Sequence, residues 1–287
     1  MTAKPDIYFH DIGDAAVQYL VYESSGPTII LLHATGFSPW LWHPIAVRLA
    51  RSYRVIAPYF CDHRMTDPEK GGLSWMQLAD DLCRLCDGLQ IEKPLLVGHS
   101  MGATVVTIAE AMHGPSAAAM LLIEPIFLPQ EFYGIPLRVE DHPLARLSIK
   151  RRNAWDDAVA AKTYLRTKAL FSKWDDAILD LYITHGMVDS LSGGLELACS
   201  PPREAALFMG GMPYDPWPLL PKIQCPVLIV EGGKSQNRRF MRLKDSVDLF
   251  QEAAYEMIPS AGHLIPMEKP SKIYRIISDL ARKQLIH

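Results

Sequence analysis

Gly98-His99-Ser100-Met101-Gly102 sets a serine between glycines two residues away on either side. The spacing matches G-x-S-x-G, which suits a serine on a sharp turn from a strand into a helix. Backbone strain in such a turn costs roughly 1–3 kcal/mol. The flanking positions must lack a Cβ, because neighbouring backbone passes close there. The gain is a hydroxyl held clear of the sheet, above a helix start whose unpaired N–H groups and positive dipole end can receive an anion. A serine hydroxyl is a poor nucleophile until a base takes its proton. A neutral histidine, oriented by a carboxylate that stabilises the imidazolium, is the usual base. His263 in SAGHLIPMEKP and Glu124 at the end of AAAMLLIE supply those residue types.

The elements around these residues alternate. Ile7–His10 and Val17–Glu23 read as strands joined by a Gly-Asp turn. Thr28–His33, Arg54–Pro58, Lys93–Gly98, Ala117–Glu124, Pro226–Glu231 and Ala254–Ile258 are short apolar runs, as expected of strands buried on both faces. Helical patterns fall at Pro39–Ala50, Leu73–Leu89 (with Ser74 as N-cap), Arg238–Ala253 and Ser271–Leu285. From Ile126 to about Pro213 the strand-like runs stop. Segments such as NAWDDAVAAKTYLRTKALF and KWDDAILDLYITHGM carry helical periodicity, and prolines punctuate the stretch. The strand pattern then resumes, so this is expected to be a helical insertion. Alternating strands and helices imply a mostly parallel sheet covered by helices on both faces. Ligands bind such sheets beyond the carboxyl ends of the strands, which is where His33, Ser100, Glu124 and His263 fall. Ser100, Glu124 and His263 also follow the chain order nucleophile, acid, base that such a fold uses.

Composition narrows the alternatives. The 287 residues are 49% hydrophobic and 21% charged, which supports a large core. A formal net charge of -3 gives no support to nucleic-acid or anionic-membrane binding. Five cysteines (Cys61, Cys83, Cys86, Cys199, Cys225) are too few and too scattered for a disulfide framework. Cys83-x-x-Cys86 reads as two buried helix residues. With no apolar leader near the N-terminus and no run long enough to span a bilayer, a cytoplasmic protein is expected. No cofactor motif is present, and the other histidines show no metal-ligand spacing.

TIILLHATGF, RVIAPYF, LLVGHSMG, LLIEP, PVLIVEG and AGHLIPMEKP together resemble the α/β-hydrolase superfamily, specifically its small capped members. The resemblance implies residues 1–125 and 214–287 as an α/β-hydrolase core and 126–213 as a helical cap over the active site. It implies Ser100 as nucleophile, His263 as base, and the backbone N–H groups of Thr35 and Met101 as the oxyanion hole. Phe37, His99, Phe127, Trp155 and Leu264 are then expected to face substrate. Relatives that open epoxides or displace halide need Asp where Ser100 stands.

Two positions depart from the family pattern. His33-Ala34 replaces the usual His-Gly, and His33 is expected to be a structural turn residue. The usual acid position after PVLIVE offers Gly232-Gly233-Lys234-Ser235-Gln236, with no carboxylate. Glu124 is the expected acid, within about 3.2 Å of His263, with Glu231 as the runner-up. The expected activity is metal-free and cofactor-free hydrolysis of carboxylic esters of small or medium, partly apolar substrates through an acyl-enzyme. Its rate should rise with pH as the histidine loses its proton. Lactone, thioester, C–C bond and perhydrolytic chemistry use a similar triad. A ligand receptor on the same scaffold is a second class, disfavoured by the intact triad.

Overall fold

The computed structural model describes residues 4–60, 62–114 and 116–285; Cys61 and His287 lie outside them. Six strands come first: β1 (Asp6–Asp11), β2 (Ala16–Tyr22), β3 (Thr28–Leu32), β4 (Arg54–Pro58), β5 (Leu95–His99) and β6 (Ala119–Ile123). Among them lie α1 (His43–Leu49), α2 (Trp75–Gly88) and α3 (Met101–His113). Ser74 caps α2 as expected, its Oγ accepting the Met76 N–H. A long connection follows, with α4 (Ala145–Ser148), α5 (Ala158–Arg166), α6 (Asp176–Gly186) and α7 (Pro201–Met209). The chain then forms β10 (Val227–Gly232), β11 (Ala253–Ile258), α8 (Ile265–Glu268) and α9 (Pro270–Leu285); β7 to β9 belong to the connection and are described below.

The main sheet has the order β1-β2-β4-β3-β5-β6-β10-β11. The β1–β2 and β2–β4 pairs are antiparallel, and every later pair is parallel. Its central strands are buried on both faces because successive side chains alternate sides. Ile30, Leu32, Leu96, Met120 and Leu122 pack with Leu78 and Leu82 of α2 and Val105 and Ile108 of α3. Ile29, Leu31, Leu95, Val97 and Leu121 pack with Ile45 and Leu49 of α1 and Ile273 and Ile277 of α9. Each such side chain contributes roughly 1.5–3 kcal/mol on full burial. The result is the α/β-hydrolase fold: a mostly parallel sheet between two helical layers, with its strand ends turned toward the polar residues singled out above. Cys83, Cys86, Cys199 and Cys225 are buried free thiols, and burial pushes Cys83 up to about 12.

Two expectations about elements are corrected. The connection is not wholly helical: β7 (Ala154–Trp155), β8 (Met187–Asp189) and β9 (Leu195–Leu197) form an antiparallel sheet in the order β7-β9-β8. Strands of two and three residues are too short to show a period of two. Arg238–Ala253 is not one helix but two stretches of 3₁₀ turn, Gln236–Arg239 and Leu243–Leu249, followed by the start of β11. Ser246 Oγ donates to the Leu243 carbonyl at 2.7 Å. Such local bonds compete with the α-helical pattern.

The return leg of the connection is bonded to the core. Leu73 N–H donates to Ala206 O (3.0 Å) and Trp75 N–H to Gly210 O (3.2 Å). Trp75 Nε1–H donates to Leu207 O at 2.8 Å. These bonds use carbonyls in the last turn of α7, where the helix leaves acceptor capacity free. Among the described residues, no helix is long and apolar enough to cross a membrane.

Candidate active site

Ser100 stands between β5 and α3 with φ 55° and ψ −120°, a conformation a side chain rarely adopts and one that stores strain. The turn holds because its surroundings admit no alternative. A Cβ on Gly98 would sit 2.4 Å from Ala103 Cα, and one on Gly102 would sit 2.6 Å from His33 O and 2.7 Å from Leu32 O. Ser100 N–H donates to Ile123 O at 2.9 Å, which ties the turn to the end of β6. Gly102 therefore does two things: it lets α3 begin, and it lets the end of β3 close onto the first turn of α3. That contact sets His33, two residues before Thr35, against the first turn of the helix.

Glu124 follows β6 directly and also has positive φ, at 50°. Its side chain is wholly buried. A buried carboxylate is tolerated only when hydrogen-bonded, and this one has three donors. Gly232 N–H reaches Oε1 at 2.6 Å, while Ser235 Oγ–H reaches Oε2 at 2.7 Å. His263 Nδ1 lies 2.8 Å from Oε2. A carboxylate only accepts, so Nδ1 carries the imidazole proton. Nε2 then offers its lone pair to Ser100 Oγ–H, 3.0 Å away. Serine, imidazole and carboxylate thus form a continuous hydrogen-bonded chain across the ends of β5, β6 and β11.

The loop bearing His263 is fixed from both sides. Gly262 N–H donates to Glu268 Oε2 at 2.8 Å. A Cβ on Gly232 would sit 2.1 Å from Gly262 O, so β10 and this loop touch backbone to backbone. Beneath it, His99 Nε2–H donates to the His263 carbonyl at 2.9 Å. Burial, with the His263 ring nearby, pushes His99 down to about 3 and keeps it neutral.

The other expected site residues divide. His33 is a turn residue: Nδ1–H donates to Ala34 O (2.9 Å) and Nε2 accepts from Phe60 N–H (3.2 Å). Phe37 is half-buried against Trp174 and Tyr182 of the connection, and Leu264 joins the same cluster. His99, Phe127 and Trp155 do not face open space. His99 is spent on the His263 carbonyl, Phe127 packs in the core against Trp217, and Trp155 packs on Tyr164 within the connection. Their burial, at most 3% exposed, leaves no face for a ligand. Glu231 points away from His263. It accepts from Arg238 Nη1 at 2.5 Å and from the Tyr255 hydroxyl. Burial pushes it above the usual carboxylate range.

Ser235, Asn237 and Glu268 were not anticipated as site residues. Asn237 is the least expected: its amide lies 3.1 Å from His263 Nδ1. Nothing in its sequence neighbourhood marks it, since a turn asparagine is common. The surface also carries hollows of about 480 Å³, within the connection, and about 640 Å³, around Lys93, Glu110 and Lys222. Neither is lined by a residue of the Ser100 site. Ser100 itself is 7% exposed.

Comparisons with known proteins agree with this architecture. The chain matches the alpha/beta hydrolase family over residues 29–276. It is 24% identical over 225 residues to the abhydrolase domain-containing protein ACTT2 of Alternaria alternata, covering 66% of this chain and 83% of that one. Its fold is similar to that of E-2-(acetamidomethylene)succinate hydrolase, with a TM-score of 0.80 and 22% identity over 96% of this chain and 98% of the other. It is also similar to the thioesterase domain from the curacin biosynthetic pathway, with a TM-score of 0.78 and 18% identity over 96% and 100% of the two chains. With a match across most of its length and the sheet order described above, the chain belongs to the alpha/beta hydrolase family.

Proposed function

We propose that this protein is a serine hydrolase that cleaves carboxylic esters of small or medium, partly apolar substrates through an acyl-enzyme. The observation that carries the reading is the path from Ser100 Oγ to His263 Nε2 (3.0 Å) and from His263 Nδ1 to Glu124 Oε2 (2.8 Å). Ser100 Oγ attacks the ester carbonyl as its proton passes to His263 Nε2. Glu124 holds the Nδ1–H tautomer and stabilises the imidazolium. The developing oxyanion is met by the backbone N–H groups of Thr35 and Met101, each such donor being worth roughly 10²–10³ in rate. The imidazolium returns its proton to the leaving alkoxide. Water, deprotonated by His263, then releases the acid and frees Ser100.

Residues 126–213 serve as a cap, and Phe37, Trp174 and Tyr182 meet at its junction with the core. Phe37, the half-buried ring of the three and two residues from Thr35, supports a partly apolar substrate. The similar structures named above include a hydrolase of a succinate derivative and a thioesterase domain, so this fold carries more than one hydrolytic activity.

Ser100→Ala should lower kcat on an activated acetate ester by a factor on the order of 10⁶, and should abolish labelling by a fluorophosphonate probe. Wild-type rates in a folded Ser100→Ala protein would remove the serine mechanism. A panel of esters, thioesters, lactones and diketones then assigns the bond cleaved. Preference for a lactone or a thioester over every open-chain ester would replace the ester reading and leave the relay intact.

A further inference from the structure

The turn that leaves β10 meets the Ser100 relay at successive residues. Gly232 N–H and Ser235 Oγ–H both donate to Glu124, at 2.6 and 2.7 Å. Arg238 Nη1 holds Glu231 at 2.5 Å, and the same carboxylate oxygen accepts from Tyr255. The turn is therefore anchored to one buried carboxylate on each side. Between those anchors, Asn237 lies 3.1 Å from His263 Nδ1, the nitrogen that already faces Glu124 Oε2 at 2.8 Å.

That crowding restricts what Asn237 can be doing. Glu124 cannot donate, so the proton between it and His263 belongs to Nδ1. An amide N–H₂ aimed at a protonated Nδ1 would set donor against donor. The amide oxygen and nitrogen of asparagine are assigned from their partners, and here the partner requires the oxygen. Nδ1–H is then shared between a charged acceptor, Glu124, and a neutral one, Asn237. Were the ring to take the other tautomer, the same amide could turn and donate to the bare Nδ1. Asn237 thus accommodates either tautomer, while Glu124 alone selects between them.

We propose that Asn237 is a positioning residue for His263, a second and neutral acceptor that holds the imidazole in line with Ser100. The place it occupies is also one from which a carboxylate could substitute for Glu124. The inference rests on His263 being the base of the proposed hydrolysis. Asparagine and aspartate are the same size, so Asn237→Asp adds a charge at the ring without changing the packing. An opposite charge at that range favours the protonated imidazole by about one pKa unit or more.

The test uses the full-length protein. The titration of His263 is followed by ¹⁵N NMR of the imidazole, and kcat/KM on an activated acetate ester is measured across pH. Asn237→Asp should raise the His263 titration midpoint by about one unit and move the acid limb of kcat/KM by the same amount. Asn237→Leu should lower kcat roughly tenfold with KM unchanged, a loss confined to the proton-transfer step. Glu124→Gln/Asn237→Asp should turn over at least ten times faster than Glu124→Gln alone. An unmoved midpoint in Asn237→Asp, or a double mutant no faster than Glu124→Gln, would overturn the proposal. The NMR midpoint needs no turnover, so it separates the two readings. A raised midpoint beside undiminished hydrolysis in Ser100→Ala would sink the serine mechanism and leave the Asn237 contact standing.

Discussion

At the scale of single residues, the site contains two carboxylates that differ in what holds them. Glu124 and Glu231 end neighbouring strands and are both buried, but only Glu124 reaches His263. Glu231 is paired with Arg238 and Tyr255 on the far side of the turn. Glu124→Gln leaves a neutral amide against Nδ1, which no longer fixes the tautomer, and should lower kcat by roughly 10⁴ as the equivalent change does in other triads. Glu231→Gln breaks an ion pair that is partly exposed at Arg238, so it should cost little in kcat and a modest amount of stability. Steady-state kinetics of the two variants side by side decide the matter, and equal losses would move the acid role away from Glu124.

The same residues show how far a sequence carries an argument about chemistry. Ser100 was legible because the strain of its turn forces glycine at fixed offsets. Glu124 was legible because a strand ends on it and the next candidate position lacks a carboxylate. Asn237 and Ser235 were not, because their roles come from where a turn of unremarkable composition comes to rest against another strand's end. Aromatic residues were ambiguous for a related reason. Phe127 and Trp155 have the size and polarity of pocket residues, but periodicity cannot say whether a ring lines a pocket or fills a gap, and in both cases it fills a gap.

At the scale of elements, strands and helices of the core were readable because each repeats its pattern several times. The parallel strands are continuous apolar runs, and α2 and α9 present a stripe of aliphatic side chains to the sheet. The small sheet β7-β9-β8 was not readable, since its strands are shorter than one repeat of any pattern. The connection as a whole meets the core along two fronts. α7 is fixed by backbone bonds to the start of α2, whereas α6 and the preceding loop touch the core through rings and through the bond from Asp175 N–H to Met267 O at 3.1 Å. Phe37 packs edge-on to Trp174 at 5.3 Å and to Tyr182 at 5.9 Å, and His185 stacks on Trp40 at 3.6 Å. Ring contacts can be reshaped without unzipping a hydrogen-bond ladder, so this front is the one that should govern which substrate fits. Phe37→Ala should shift the ratio of kcat/KM between acetate and hexanoate esters by roughly tenfold, within the range a hydrophobic pocket discriminates, whereas the buried Trp174 should act on packing. An equal drop for all chain lengths would assign Phe37 to packing alone.

At the scale of the whole molecule, the site depends on buried groups that must stay neutral, and this sets how stability varies with pH. His99 lies under the His263 loop with its Nε2–H committed to a carbonyl and its Nδ1 buried without a partner among the described residues. Burial pushes it down to about 3, from 6.5. Burial lowers His33 as well, under the Thr35 loop. Above about pH 6.5 these imidazoles are neutral folded or unfolded and contribute no pH dependence. As pH falls below that value the unfolded chain takes up protons that the folded chain refuses. The folded state then loses up to about 1.4 kcal/mol per pH unit for each such group, until the folded group itself titrates. Asp81, held at about 2 although its burial opposes this, by bonds from Arg64, His63 and Gln77, adds its own loss only below 3.8. Glu110 and Glu231, raised by burial, act in the opposite direction above 4.5 and offset part of the slope. His99→Gln isolates one contribution, because the amide can still donate to the His263 carbonyl yet does not titrate. Urea unfolding from pH 7.5 to 4.5 should show a shallower decline for this variant than for the natural protein, with the two curves converging at the acid end. Parallel curves would mean that His99 takes up its proton alike in the folded and unfolded states, which at acid pH would place a buried positive charge directly beneath the loop that carries His263.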